Sequence, residues 1–84
     1  MDMFTDLVYN VTLYTMDNCE FCEKAKNLLH SKEQYVINEI NITDNLSERS
    51  HVKETLGSTV PQIIIEGRHI GGYEELQGYF NQWK

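Results

Sequence analysis

Between Val8 and Ile40 the hydrophobic pattern changes period twice, and that double change restricts the fold more than any other feature of the chain. Val8–Tyr14 is rich in β-branched and aromatic residues. Val11, Leu13 and Thr15 fall on one face and Thr12 and Tyr14 on the other, which is the alternation of a strand. Asp17-Asn18 supplies turn chemistry. From the cysteines onward Phe21, Cys22, Ala25, Leu28 and Leu29 recur at helical spacing, while Glu23, Lys24, Lys26 and Asn27 face outward. This helix is predicted to end near His30-Ser31, and a second strand follows at about Gln34–Ile40 around Tyr35, Val36 and Ile37. Strand, helix, strand in so short a span implies a right-handed crossover between parallel strands.

The second half is punctuated differently. Asn45 or Ser47 can cap a short helix, and Asn45 followed by Glu48 fits a capping box; Val52 and Leu56 face inward and Gly57 stops it. Thr59-Val60-Pro61 precedes a strand at Gln62–Ile65, Glu66-Gly67 makes a tight turn, and Arg68–Ile70 pairs back. Gly71-Gly72 breaks the chain before a last helix with Tyr73, Leu76, Tyr79, Phe80 and Trp83 on one face. The order β-α-β-α-β-β-α is an α/β arrangement: a four-stranded mixed sheet with helices on both faces.

Eighty-four residues suffice for one small domain, so residues 1–84 are expected to form a single unit with residues 1–7 as a loose leader. With 7 Lys+Arg against 13 Asp+Glu the net charge is −6, and no basic run is present, which disfavours nucleic acid as a partner. No apolar stretch approaches the roughly 18–20 residues that cross a bilayer, and Met1–Asp6 lacks the basic and apolar regions of a secretory signal. A cytoplasmic location is expected.

Cys19 and Cys22 are the only cysteines, and they are spaced too closely to serve as a scaffold. Cys19 falls at the mouth of the first helix, where free backbone N–H groups and the helix dipole favour the thiolate, the reactive form. Cys22 lies one turn further along the same face, so Cys19 can be exposed with Cys22 beneath it. The expected division of labour is that Cys19 attacks and Cys22 resolves the mixed disulfide. Asp17, Glu20 and Glu23 oppose the dipole at Cys19, with Lys24 and Lys26 read as pointing elsewhere. A zinc site would need four ligands, and His30, His51 and His69 are scattered singly, so no metal is expected.

The chain resembles the glutaredoxins from Val11 to Trp83. The matching features are a strand ending in Tyr14-Thr15, Cys19-Glu20-Phe21-Cys22, Thr59-Val60-Pro61-Gln62, and His69-Ile70-Gly71-Gly72-Tyr73-Glu74-Glu75-Leu76. Its compactness is similar to that of the small bacterial or bacteriophage members. The resemblance implies a thioredoxin-like fold, in agreement with the element order. It also implies a cis bond before Pro61, and a glutathione site in which the tripeptide pairs with the Val60 backbone like an added strand. Thr59, Val60 and Pro61 would form one wall of that site, and Gly72, Tyr73, Glu74 and Glu75 the other. Backbone N–H groups at the start of the last helix would meet the γ-glutamyl carboxylate. A side-chain acid would meet its ammonium group, and Glu75 matches the family's acidic position better than Glu74.

Two departures from the family stand out. Where many members read Cys-Pro-Tyr-Cys, this chain has Glu20 and Phe21 between its cysteines, so a redox potential cannot be carried over. Where members usually carry Lys or Arg three places before the first cysteine, this chain has Met16. Arg49 or Lys53 is the candidate replacement, and weaker glutathione affinity is expected.

The activity implied is a glutathione-dependent dithiol oxidoreductase. It would act as a monomer on protein disulfides and glutathionylated proteins, with ribonucleotide reductase as a possible client. The alternatives are a thioredoxin-like donor reduced by a flavoprotein reductase, and a module binding an iron–sulfur cluster through Cys19 and glutathione.

Overall fold

The computed structural model describes residues 8–82. Its elements are β1 (Tyr9–Thr15), α1 (Glu20–His30), β2 (Tyr35–Asn41), α2 (Leu46–Thr55), β3 (Gln62–Ile65), β4 (Arg68–Gly71) and α3 (Tyr73–Asn81), in the order read from the sequence. The expected leader at residues 1–7, and Trp83 at the end of the last apolar face, lie outside the described residues.

The four strands lie in the order β2-β1-β3-β4. β1 runs parallel to β2, with Val11 opposite Ile37 and Leu13 opposite Glu39. On its other side β1 runs antiparallel to β3, with Leu13 opposite Ile63 and Val11 opposite Ile65. Val11, Leu13 and Thr15 therefore project from the middle of the sheet onto one face, and all three are buried. Ala25 and Leu29 of α1 and Leu76 of α3 close over that face, joining Val11, Leu13, Ile63 and Ile65 in one cluster. At its edge Tyr9 stacks on Tyr35 at 5.1 Å, and Tyr35 meets Phe80 edge-on at 5.3 Å. Burial, reinforced by a hydrogen bond with Tyr79, pushes the Tyr35 phenol up to about 12.

Two local expectations change. Phe21 is not part of the inward stripe of α1: Cys22, Ala25 and Leu29, three and four apart, are the buried set, and Phe21 is 53% exposed at the helix start. In α2 the Asn45 side chain accepts from the Glu48 N–H at 3.0 Å, as expected of a cap. The Asn45 N–H instead donates to the Ile42 carbonyl at 3.3 Å, so the reciprocal half of the box is taken by the preceding turn. Val52, the buried residue of α2, stands outside the main cluster.

A polar strut ties β1, β2 and α1 together. Thr15 Oγ1 donates to Glu39 Oε2 at 2.7 Å, and Lys26 Nζ lies 3.1 Å from Glu39 Oε1 and 3.2 Å from Glu23 Oε2. The Thr15 hydroxyl, and after it the Lys26 ammonium, hold the Glu39 carboxyl below its ordinary value of 4.5. Because the folded value is the lower one, this contribution to stability is present above the unfolded value and is lost as pH falls through the folded one. Urea midpoints measured for wild type and Glu39→Gln should therefore differ near neutrality and converge in acid, once the pH has fallen through the lowered folded value. A gap that persists at acid pH would place the effect elsewhere than in this ionisation.

Candidate active site

The turn after β1 is held from β2 and the residues beyond it. The Asp17 N–H donates to Thr43 Oγ1 at 2.7 Å, and Asn41 Nδ2 donates to Asp17 Oδ1 at 2.9 Å. Asn18 takes a left-handed conformation (φ 57°), which asparagine tolerates better than most residues. The chain then enters α1 with Cys19 as its N-cap.

Cys19 and Cys22 are joined as a disulfide, with their Cα atoms 5.2 Å apart. Cys19 is half-buried whereas Cys22 is 1% exposed, so the two sulfurs have unequal access to solvent. The Cys22 N–H donates to Cys19 Sγ at 3.1 Å. In the reduced protein the same N–H, with the helix dipole behind it, stabilises a sulfur anion at position 19. The opposing carboxylates are partly offset. Lys24 Nζ is 3.5 Å from Glu20 Oε2, and Lys26 Nζ contacts Glu23, so both lysines that the sequence reading pointed away reach back to the first turn. Exposed pairs of this kind are weak, so the relief is modest.

Beside the disulfide runs a groove of about 190 Å³ lined by Phe21, Val60, Pro61, Gly72, Tyr73, Glu74 and Glu75. Val60-Pro61 is a cis peptide, and the Val60 carbonyl oxygen stands 3.8 Å from Cys19 Sγ. On the far wall Glu75 Oε1 accepts from the Gly72 N–H at 2.9 Å, closing the start of α3. Gly71 has φ 120°, and a Cβ there would come within 2.9 Å of Glu75 Cγ, so this bend requires glycine both for its backbone and for space.

The fold thus brings together Val60, Pro61, Gly72, Tyr73, Glu74 and Glu75 next to Cys19. Thr59 instead lines a second cleft, of about 350 Å³, which it shares with Met16, Arg49, Lys53 and Val60. Sequence reading missed Phe21 as a groove residue; its ring centroid lies 6.1 Å from that of Tyr73. Its place between the two cysteines was the available signal.

A parallel-plus-antiparallel sheet that presents a C-x-x-C pair at a helix start, beside a cis-proline loop, defines a thioredoxin-fold thiol–disulfide oxidoreductase. The glutaredoxin family model matches residues 11–70. Glutaredoxin 3 of Escherichia coli (strain K12) is 41% identical over 68 residues, covering 80% of this chain and 81% of that one. Glutaredoxin 1 of Rickettsia prowazekii (strain Madrid E) is 35% identical over 77 residues, covering 88% and 80%. Among solved structures, glutaredoxin from Brucella melitensis superposes with a TM-score of 0.76 at 32% identity, covering 90% of this chain and 82% of that one. Glutaredoxin 1 from Francisella tularensis, complexed with cacodylate, gives 0.75 at 29% identity, covering 89% and 95%. The chain belongs to the glutaredoxin family and is a thiol–disulfide oxidoreductase.

Proposed function

We propose that this oxidoreductase is glutathione-dependent and that the groove beside Cys19 is its glutathione site. The observation that carries the reading is the placement of the Val60-Pro61 segment and the start of α3 as two walls flanking one half-buried sulfur. An extended tripeptide would pair with the Val60 backbone on one side. On the other, its γ-glutamyl carboxylate would meet first-turn N–H groups of α3, with Glu74 or Glu75 toward its ammonium.

The steps follow from thiolate exchange. The Cys19 thiolate attacks the glutathione sulfur of a mixed disulfide, a bond forms between Cys19 and glutathione, and the substrate leaves as a thiolate that takes up a proton. A glutathione thiolate then attacks the glutathione sulfur held on Cys19, giving glutathione disulfide and free Cys19. On a protein disulfide the Cys19 thiolate attacks one sulfur, breaking the substrate S–S bond to give a mixed disulfide and a substrate thiolate that takes up a proton. The Cys22 thiolate then attacks Cys19 of that mixed disulfide, releasing the second substrate thiolate and forming the Cys19–Cys22 bond. Two glutathione molecules then reduce that bond. The protein acts as a cytoplasmic monomer, and ribonucleotide reductase is among the disulfide clients to assay. The test is turnover of a small glutathione mixed disulfide with glutathione and glutathione reductase. Turnover only with a flavoprotein dithiol reductase would overturn the reading in favour of a thioredoxin-like donor, and a coloured, cluster-bearing dimer after anaerobic purification would favour the binding module.

The second cleft supports a role for the cations of α2. Arg49 and Lys53 line it together with Met16, the position where relatives usually carry a cation, and Arg49 Nη1 reaches the Thr43 carbonyl at 3.3 Å. The far carboxylate of glutathione would lie toward these groups. Replacing both by alanine should raise the KM for the glutathione mixed disulfide about three- to ten-fold with kcat nearly unchanged, the mark of lost uniform binding. An unchanged KM would remove α2 from the site.

A further inference from the structure

Gln62 is a polar side chain only 5% exposed, yet the disulfide chemistry makes no use of it. Ile63 and Ile65 of the same strand belong to the core cluster, and Gln62 Cα is opposite Tyr14 in the β1–β3 pairing. Both ends of its amide are engaged. Nε2 donates to the Thr59 carbonyl at 2.9 Å and approaches Thr59 Oγ1 at 3.4 Å, while Oε1 lies 2.8 Å from His69 Nε2. A carbonyl oxygen only accepts, so His69 must carry its proton on Nε2, and the amide orientation and the tautomer fix one another.

Neither partner lines the groove, but each lies a few residues along the chain from one of its walls. Thr59 opens the Thr59-Val60-Pro61 segment, and His69 sits on β4 just before Gly71-Gly72. A register shift between Ile63 and Ile64 sets Ile64 opposite His69 and Ile63 opposite Gly71, skipping Ile70. The chain also crowds the amide from behind. Gly57, at φ 154°, would bring a Cβ within 2.8 Å of Gln62 Nε2, so only glycine passes there unstrained.

We propose that Gln62 and His69 are positioning residues, a clasp that holds the Val60 wall at a fixed distance from the Gly72 wall and so sets affinity for the peptide between them. The inference deepens the glutathione reading and rests on it for its kinetic consequence, though not for the coupling itself. The variants are Gln62→Met, which keeps the shape without the polar ends, His69→Phe, at an exposed position that should fold, and His69→Gln, which keeps an N–H donor at similar reach. Gln62→Met and His69→Phe should each raise the KM for a glutathione mixed disulfide about three- to ten-fold with kcat within about two-fold, the scale of one lost hydrogen bond, and His69→Gln should restore it. The Val60 amide resonance of the free protein should move in His69→Phe and return in His69→Gln. A KM within about two-fold of wild type in both Gln62→Met and His69→Phe would overturn the clasp. Should wild type not turn over the glutathione mixed disulfide, the glutathione reading falls, and the Val60 resonance decides: movement reversed by His69→Gln upholds the clasp, and an unmoved resonance overturns it.

Discussion

Cys19→Ser should lower the rate of glutathione mixed-disulfide reduction by ~10³-fold or more, the scale seen when a covalent nucleophile is removed, whereas Cys22→Ser should keep it within about three-fold of wild type. The asymmetry follows from access and electrostatics. Cys19 caps α1, is half-buried and accepts the Cys22 N–H, so a sulfur anion there is both reachable and stabilised. Cys22 is 1% exposed inside the first turn, where an outside sulfur cannot approach it. Its sulfur can reach only the one at position 19, to which it is already bonded in the oxidised form. Reduction of a protein disulfide needs that second step, so there Cys22→Ser should lose activity as well. Rates on both substrate types for the two variants check the assignment; equal loss on the glutathione mixed disulfide would contradict it.

The parts of this fold that announce themselves in the sequence are those governed by local periodicity. Val11, Leu13 and Thr15 alternate because a strand has a period of two, and Ala25 and Leu29 keep helical spacing because α1 lays one stripe on the sheet. The stops are local too: Asn45 caps α2 and Gly57 ends it. What lay hidden depends on contacts distant along the chain. Nothing near Val11 states that β3 will lie antiparallel beside it, since that pairing is set by which apolar faces meet across the assembled sheet. Lys24 and Lys26 reach back to Glu20 and Glu23 through side-chain rotamers that spacing permits but does not dictate. At the site, the cysteines and both walls were legible through their motifs. Thr59 lies in the bend between α2 and β3 and lines only the other cleft, whereas Val60 after it lines both, and Phe21 reads as core until α1 is seated and its first turn is found to overhang the groove.

Leu13→Ala should be among the most damaging changes to stability, at roughly 3–5 kcal/mol. Leu13 is fully buried on the central strand, opposite Glu39 on one side and Ile63 on the other, beneath the helices that contribute Ala25, Leu29 and Leu76. A cavity there is enclosed by backbone held in two strand pairings, so the surroundings cannot collapse to fill it and the loss approaches the upper part of the Leu→Ala range. A domain of this length has a total stability of roughly 4–13 kcal/mol, so the variant sits near the edge of folding. Its melting temperature should fall by roughly 12 °C or more. Leu46, 75% exposed on α2, is the matched control, and Leu46→Ala should change stability by no more than about 0.5 kcal/mol. Leu13 lines neither cleft, so at a temperature where the variant is still folded its activity per folded molecule should stay within about two-fold of wild type. Urea unfolding and turnover measured on the same sample test both halves. Activity lost from a sample that is still folded would mean that the sheet centre and the sulfur pair are coupled, and that packing at Leu13 shapes the chemistry as well as the fold.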